Sequence, residues 1–210
     1  MNAQDEFQIL DAISKWLERE VRPKARELEK KDEYPDAMVQ TMKEMGLFGA
    51  TIPQEYGGLG LPASTYAKIV ALISEVWMSL TGIFNSHLIM AAAVARYGTD
   101  EQKRRFLPKF ASGEVRGGLA LTEPDCGTDL QAIRTRAVKD GEHYVVNGTK
   151  TWISNGIKGS CFALLVKTDP EAKPRHKGMT MFLAEKGKGF RVSKKLEKLG
   201  RYNDRIARIE

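Results

Sequence analysis

The chain has 210 residues, of which 42% are hydrophobic and 29% charged, a balance typical of a folded globular protein and unlike that of a disordered one. Its 33 Lys and Arg residues against 27 Asp and Glu residues give a net charge of +6. These cations are spread along the chain without interleaved aromatic side chains. We therefore expect a solvated basic surface and no nucleic-acid interface.

The two cysteines, Cys126 and Cys161, lie far apart, and neither belongs to a CxxC pair. No histidine stands at ligand spacing beside them, so neither a zinc site nor a disulfide framework is predicted, as fits a reducing cytoplasm. The first ten residues, MNAQDEFQIL, lack the apolar stretch of a secretory signal. We expect a cytoplasmic protein without a metal site.

Residues 5–110 have the three- and four-residue apolar spacing of successive amphipathic helices. The first helix presents one apolar face, made of Phe7, Leu10, Ile13, Leu17 and Val21. Pro23 is expected to interrupt or kink this helix, because proline has no amide hydrogen to donate. Pro35 precedes a second helix over Met38–Met45, which Gly46 closes as a C-cap.

A loop rich in glycine and proline, residues 52–62, separates these helices from the next. Its glycines belong to no GxGxxG or GK[ST] motif, so a phosphate-binding loop is not predicted. A helical pattern then runs over residues 64–97, and Thr99 with the acids that follow it starts one more helix.

Within that long pattern, residues 76–95 carry no Asp, Glu, Lys or Arg, and they are numerous enough to span a bilayer. However, polar residues such as Asn85 and His87 lie in the middle of the stretch, where lipid tolerates them least. We therefore expect a buried core helix and no membrane span.

From Gly117 the apolar period changes to two, which is typical of strands. Asp140-Gly141 and Asn147-Gly148 are hairpin signals. The strand candidates that surround them are residues 143–146, 149–153, 162–168, 179–185 and 190–192. Short strands without helices between them predict an antiparallel sheet or barrel.

The fold class is therefore α+β, an all-α N-terminal domain followed by an antiparallel β-sheet or barrel domain. We place the helical domain at residues 1–114 and the β domain at residues 115–200. Residues 201–210 are set apart as an atypical tail.

Two segments carry a family resemblance. Residues 119–129, LALTEPDCGTD, resemble the "TEP-x-x-G-[ST]-D" signature of acyl-CoA dehydrogenases, and residues 147–155, NGTKTWISN, are similar to the second signature of that family. Two further stretches agree in the same order, IPQEYGGLG at residues 52–60 and YGTDEQK at residues 97–103. The chain is thus identified as resembling the acyl-CoA dehydrogenase family over almost its whole length.

The resemblance implies an FAD-dependent enzyme that oxidises acyl-CoA thioesters to 2,3-enoyl-CoA, in fatty-acid or amino-acid breakdown. A glutamate removes the α-proton, hydride passes to flavin N5, and an electron-transfer flavoprotein takes the electrons. The family is organised as a helical domain, a middle β-barrel domain and a C-terminal helical bundle, assembled into homo-oligomers.

Cofactor-binding positions follow from the same resemblance. A reduced flavin is electron-rich along its polar edge, so the protein must supply hydrogen-bond donors there and an apolar wall against the ring face. The implied cofactor-binding residues are Leu119, Leu121, Thr122, Gly127, Thr128, Trp152, Ile153 and Ser154. Thr128 also stands where the family meets the acyl-CoA, Trp152 packs on the ring, and Ser154 places a hydroxyl near N5.

Some titratable residues are assigned no catalytic role. Glu123 lies inside the first signature, and we expect it to be a structural hydrogen-bonding residue. His87, His143 and His176 show no triad or metal spacing, and no GxSxG elbow is present, so hydrolase and metalloenzyme functions are not predicted.

The last ten residues, RYNDRIARIE, do not resemble the expected continuation of the family. The catalytic glutamate of the family lies in its C-terminal domain, so we expect a truncated chain with no catalytic base of its own and doubtful activity. Two alternatives stay open. The chain is a non-catalytic module that binds flavin or acyl-CoA, or a structural partner that docks on a full-length homologue.

Overall fold

The computed structural model describes residues 2–198 and 207–210. The chain divides into two compact units, the first reaching to Val115 and the second beginning at Arg116. The first unit is helical. Its elements are α1 (Ala3–Trp16), α2 (Arg22–Lys31), α3 (Asp36–Glu44), α4 (Ala63–Tyr97) and α5 (Asp100–Ala111), with a π-helical turn at Leu17–Val21 and 3-10 turns at Leu47–Gly49 and Gln54–Tyr56.

Pro23 does not end the first helix. The chain passes from α1 into α2 through the π-helical turn, in which the Arg22 N–H donates to Leu17 O, five residues back. Pro23 then lies in the first turn of α2. Its missing amide hydrogen costs little there, because first-turn amides have no intrahelical acceptor. Instead of the interruption predicted at Pro23, the helix changes locally from α to π geometry and then continues as α2.

Helix ends follow the capping residues of the sequence. At the start of α5, the Gln102 amide donates to Thr99 Oγ1 over 3.2 Å, and the Thr99 amide donates to Gln102 Oε1 over 2.9 Å. This reciprocal capping box confirms the predicted helix start. Gly46 follows α3 with a φ of 72°, the left-handed conformation expected of a C-cap glycine.

The 35-residue helix α4 is broken locally at Trp77, whose φ and ψ are −160° and 99°. The break is stabilised from α2, because the Glu29 carboxylate accepts hydrogen bonds from the Trp77 indole N–H and from Ser79 Oγ. Ile73 and Leu80, on either side of the break, are both fully buried. Both halves of α4 therefore contribute to the core of the helical unit.

Among the helices that the structure describes, α4 alone is long and apolar enough to cross a membrane, and half of its most apolar 18-residue window is buried inside the protein. A core helix passes the same test of length and composition. His87 lies in this segment, fully buried, with its Nε2 3.0 Å from Phe110 O. Its ring meets Phe48 and Phe110 edge-on. These contacts agree with the expected core helix.

Thr99→Ala should destabilise the helical unit by about 1 kcal/mol, because it removes the side-chain acceptor for a first-turn amide of α5. Urea unfolding followed by circular dichroism measures the change. Ser64→Ala is the matched control, since Ser64 is an exposed first-turn residue of α4 outside any capping box, and this substitution should change stability by less than about 0.5 kcal/mol. Equal losses in the two variants would contradict the role of the cap.

The second unit is built of strands. These are β1 (Gly117–Ala120), β2 (Arg136–Asp140), β3 (His143–Asn147), β4 (Lys150–Ile153), β5 (Cys161–Lys167), β6 (Met179–Glu185), β7 (Val192–Lys195) and β8 (Ala207–Ile209). One sheet joins five strands in the order β1-β5-β2-β3, with β6 also paired to β5, and the other joins three in the order β4-β8-β7.

The larger sheet is mixed, which corrects the prediction of a purely antiparallel sheet. β5 runs antiparallel to β6 but parallel to β1 and to β2. Across the described residues the two sheets are not closed into a barrel. The parallel pairs join strands that are distant in sequence, so no local turn signal reveals them.

Only one of the two predicted hairpins forms. β2 and β3 pair around Asp140-Gly141, with Asp140 opposite His143. At Asn147-Gly148 the chain instead leaves β3 and enters β4, which pairs with β8 in the other sheet. Gly148 is needed for close approach, since a Cβ there would lie 2.4 Å from Thr135 Oγ1. The Asn-Gly pair thus marks a crossing between sheets.

The last residues of the segment predicted as an atypical tail form a strand. β8 is the middle strand of the smaller sheet, pairing with both β4 and β7. Ile209 is buried with Ala120, Ile153 and Phe162 in one apolar cluster. Residues 201–206, the rest of the predicted tail, lie outside the described residues.

Candidate functional site

The two signature segments lie side by side in the second unit. The Thr151 amide donates to Thr122 O over 2.9 Å, and the Asn155 side-chain amide donates to Gly117 O over 2.9 Å. A third bond runs from Lys150 Nζ to Leu121 O, at 2.8 Å. The segment from β1 into the loop after it is therefore attached to β4 at both ends.

The loop after β1 is closed on itself by backbone hydrogen bonds. The Glu123 amide donates to Cys126 O over 2.9 Å, and the Cys126 amide donates to Glu123 O over 3.2 Å. Beyond this turn the loop exposes Gly127 and Thr128. A Cβ on Gly127 would have Thr122 Cγ2 as its nearest neighbour, at 3.8 Å, so contacts within the chain do not require glycine at this position.

A buried ion pair lies beneath this loop. Glu123 and Lys150 are only 6% and 2% exposed, and Lys150 Nζ lies 2.9 Å from Glu123 Oε1. The same Oε1 accepts from the Thr135 amide at 2.9 Å and from its hydroxyl at 2.5 Å, and Oε2 accepts from the Arg134 amide at 2.6 Å. The carboxylate is fully occupied by structural hydrogen bonds, as expected for Glu123.

These contacts set the charge of both groups. Burial raises the pKa of Glu123, but the hydrogen bonds from Thr135, the Arg134 amide and Lys150 outweigh it, so the pKa lies below its ordinary value of 4.5. Burial lowers the pKa of Lys150, and the hydrogen bond that Lys150 donates to Glu123 opposes part of that effect. The geometry is that of a carboxylate that accepts a hydrogen bond from Lys150 Nζ.

Trp152 combines exposure with a strained backbone. Its side chain is 56% exposed between the buried residues Thr151 and Ile153, and its φ is 60°. A positive φ is costly for an aromatic residue and tends to persist where function requires it. The pairing of β4 with β8 shifts register between Lys150 and Ile153, which marks the same irregularity.

The residues implied by the resemblance occupy three kinds of environment. Leu119, Leu121, Thr122 and Ser154 are half-buried, and Gly127, Thr128 and Trp152 are exposed. Ile153 differs from these, because its side chain is 1% exposed in the apolar cluster with Ala120 and Phe162. Ile153 therefore has only its backbone to offer a ligand.

Sequence reasoning missed a basic groove of about 430 Å³ in the same unit. Its cations are Arg134, Arg136, Lys167 and Arg175, and Ala132, Ile133, Pro170 and Glu171 complete the lining. Arg136 and Lys167 stand opposite each other in the parallel pair of β2 and β5. In the sequence, this groove is signalled only by exposed Arg134 and Arg136, which alternate with buried neighbours. Lys167 is brought beside them by the pairing of β2 with β5.

No group of three His, Cys, Asp or Glu side chains suited to a metal ion occurs in the described ranges 2–198 and 207–210.

Comparison with known proteins assigns the family. The model of the acyl-CoA dehydrogenase N-terminal domain matches residues 3–114, and the model of the middle domain matches residues 118–210. The chain belongs to the acyl-CoA dehydrogenase family. Members of this family are FAD-binding flavoproteins, oxidoreductases of fatty-acid and amino-acid catabolism. The middle-domain match extends over the last ten residues.

The chain is similar to one curated relative and to two solved structures in particular. The mitochondrial isovaleryl-CoA dehydrogenase of Pongo abelii is 34% identical over 94% of this chain and 48% of its own. The crystal structure of acyl-CoA dehydrogenase from Geobacillus kaustophilus superposes with a TM-score of 0.92 at 36% identity, over 100% of this chain and 55% of that one. A structure described as the electron transferring flavoprotein of Acidaminococcus fermentans superposes with a TM-score of 0.93 at 31% sequence identity. The superposition covers 100% of this chain and 55% of that one.

The chain thus spans about half the length of the curated relatives it matches. Its similarity to them covers both units that the structure describes.

Glu123→Gln should lower the free energy of unfolding by about 3–5 kcal/mol at pH 7, because it leaves the buried Lys150 ammonium without its counter-ion. The folded pKa of Glu123 is lowered, so its contribution is fully present above the ordinary value of 4.5 and is lost as the pH falls through the folded pKa. The difference between parent and variant should therefore shrink as the pH falls below about 4.5.

Urea unfolding at several pH values measures this difference. Glu142→Gln, at an exposed glutamate in the turn between β2 and β3, is the matched control and should change stability by less than about 0.5 kcal/mol. A pH-independent difference for Glu123→Gln would show that the carboxylate charge is not what stabilises the loop.

Proposed function

We propose that this chain binds FAD with the polar edge of the flavin along Leu119–Thr122 and the ring face on Trp152, in the dehydrogenation of acyl-CoA thioesters. The observation that carries the proposal is Trp152, an exposed aromatic ring with a left-handed backbone, beside Thr122, whose amide donates to no backbone acceptor within the described residues. Its position next to the Thr122 segment is fixed by the bond from the Thr151 amide to Thr122 O.

The hydrogen-bond inventory fits a flavin edge. Within residues 2–198 and 207–210, the Thr122 amide has no backbone acceptor, and its half-buried side chain adds a hydroxyl. Ser154 supplies a second half-buried hydroxyl beyond Trp152. Bound FAD would take the β-hydrogen of the acyl group as hydride at N5. The protein groups named here would hold the ring and stabilise the electron density that reduction adds.

The basic groove suits the phosphates of coenzyme A. Arg136 and Lys167 face each other across two paired strands, an arrangement of like charges that lowers stability unless an anion compensates it. Arg134 is paired with Asp125 at 3.0 Å, and Glu171 lines the groove, so the cations are only partly neutralised. We propose that Thr128 contacts the acyl-CoA and that the groove binds its phosphates.

We assign no base for α-proton abstraction to the described residues. Glu123 is the buried carboxylate of the loop, and it accepts hydrogen bonds from Thr135, the Arg134 amide and Lys150. The relatives are about twice as long as this chain, and the resemblance places their base in the part that the chain does not span.

A second candidate is a module that binds flavin and acyl-CoA without oxidising the substrate. The engagement of Glu123 favours it, because a buried and fully bonded carboxylate is not available as a base. Bleaching of bound flavin on addition of acyl-CoA separates the two, since only dehydrogenation reduces the flavin. We further propose an electron-transfer flavoprotein as electron acceptor and a homo-oligomer as the functional assembly, in keeping with the family.

Thr122→Val should weaken FAD binding by about 1–3 kcal/mol, because it removes a hydroxyl donor and leaves a flavin atom unpaired. Trp152→Ala should remove a stacking contribution of about 0.5–1.5 kcal/mol beyond the buried area. Titration of FAD against flavin fluorescence measures both affinities. Thr149→Val and Tyr144→Ala are the matched controls, at a half-buried threonine and an exposed aromatic of the same unit. Parent-like FAD affinity in both site variants would refute the assigned pocket.

Arg136→Ala and Lys167→Ala should each weaken coenzyme A binding by about threefold to tenfold, with a shallower salt dependence, because each removes a cation facing the phosphates. Calorimetry with coenzyme A and with dephospho-coenzyme A measures the effect. Lys139→Ala is the control, at an exposed lysine of β2 that does not line the groove. Unchanged affinity in both groove variants would contradict the assignment, and neither should lose stability.

A further inference from the structure

Lys150 donates a hydrogen bond to a backbone carbonyl in addition to its ion pair with Glu123. Its Nζ lies 2.8 Å from Leu121 O as well as 2.9 Å from Glu123 Oε1. The carbonyl of Leu121 and the amide N–H of Thr122 belong to the same peptide group. A buried ammonium therefore touches one end of the peptide whose other end is the donor proposed for the flavin edge.

Hydrogen bonds in series polarise one another. A carbonyl that accepts from an ammonium withdraws electron density from its peptide nitrogen, which makes the N–H of that peptide a stronger donor. The effect is larger in a buried environment, and Lys150 is 2% exposed. The same bond also fixes the orientation of the peptide, since Thr151 N–H holds the next carbonyl, Thr122 O, at 2.9 Å.

We propose that Lys150 is a positioning residue for the flavin. Lys150 raises the reduction potential of bound FAD through the Leu121–Thr122 peptide, and the Glu123 carboxylate partly offsets the charge of Lys150. This inference rests on the proposed FAD site. A donor strengthened at the N1–C2=O edge stabilises the reduced flavin more than the oxidised one, because reduction adds electron density there. The effect therefore appears in the potential rather than only in affinity.

The two members of the pair should act in opposite directions. Lys150→Met removes the ammonium, so the ratio of affinities for reduced over oxidised FAD should fall about tenfold, which is a negative shift of about 30 mV for a two-electron couple. Glu123→Gln removes the carboxylate that offsets the ammonium, so the potential should shift positively at a pH low enough to keep Lys150 protonated. A purely structural role would move both variants in the same direction, as both break the same ion pair.

The experiment is a spectroelectrochemical titration of FAD bound to the full chain, with the affinity for oxidised FAD measured in parallel. Lys150→Arg should retain most of the parent potential, since it keeps a cation that donates to Leu121 O. Lys186→Met is the matched control, because Lys186 is also partly buried and donates to a carbonyl, Ile157 O, at 2.8 Å, away from the loop. It should leave the potential unchanged.

Two further measurements keep the test decisive. If Lys150→Met does not fold, Lys150→Met/Glu123→Gln removes both charges together and should still show the negative shift relative to Glu123→Gln alone. In the FAD-free protein, the amide proton of Thr122 should move upfield in nuclear magnetic resonance spectra when Lys150 is replaced by Met, and should not move in Lys186→Met.

The outcomes separate this inference from the function it rests on. If the parent chain binds no FAD, the proposed function fails and the inference falls with it. If FAD binds but Lys150→Met leaves the potential and the Thr122 amide shift as in the parent, the inference alone is overturned. Opposite shifts in Lys150→Met and Glu123→Gln would support it.

Discussion

The organisation of the β unit around its candidate site depends on one buried ion pair. Lys150 on β4 and Glu123 in the loop after β1 carry opposite charges out of water, which is costly unless each is paired and hydrogen-bonded. Thr135 and the Arg134 amide donate further hydrogen bonds to Glu123, and Lys150 donates a second one to Leu121 O. Since these partners come from different strands and loops, the pair forms only when the two sheets are correctly placed within the unit.

The same constraint accounts for the geometry of the candidate site. With the loop attached to β4, the half-buried Thr122 and the exposed Trp152 are held side by side, and the left-handed backbone at Trp152 is tolerated. Strain of this kind persists when surrounding contacts over-determine it. Hydrogen-bond donors at an edge and an aromatic wall are what a flavin requires from a protein, and the family to which the chain belongs binds FAD.

The helical unit is stabilised in a different way. Its core comes from apolar faces at helical spacing, and the break in α4 is stabilised from another helix, where Glu29 of α2 accepts hydrogen bonds from Trp77 and Ser79. Pro23 is accommodated by the π-helical turn before it. The helix starts and ends of this unit follow from apolar periodicity and capping residues, which are local features of the sequence.

The sequence by itself determined the α+β class, the helix start at Thr99, the hairpin at Asp140-Gly141 and the family, because these depend on local pattern or on contiguous motifs. It also singled out Glu123 as structural, but not its partner Lys150. Only the tertiary structure decided the parallel pairing of β1 with β5, the crossing at Gly148, the central place of β8 and the meeting of Arg136 with Lys167. Each of these joins residues far apart in the chain, and pairing between distant strands is selected by burial and packing of the whole unit, which no local pattern encodes.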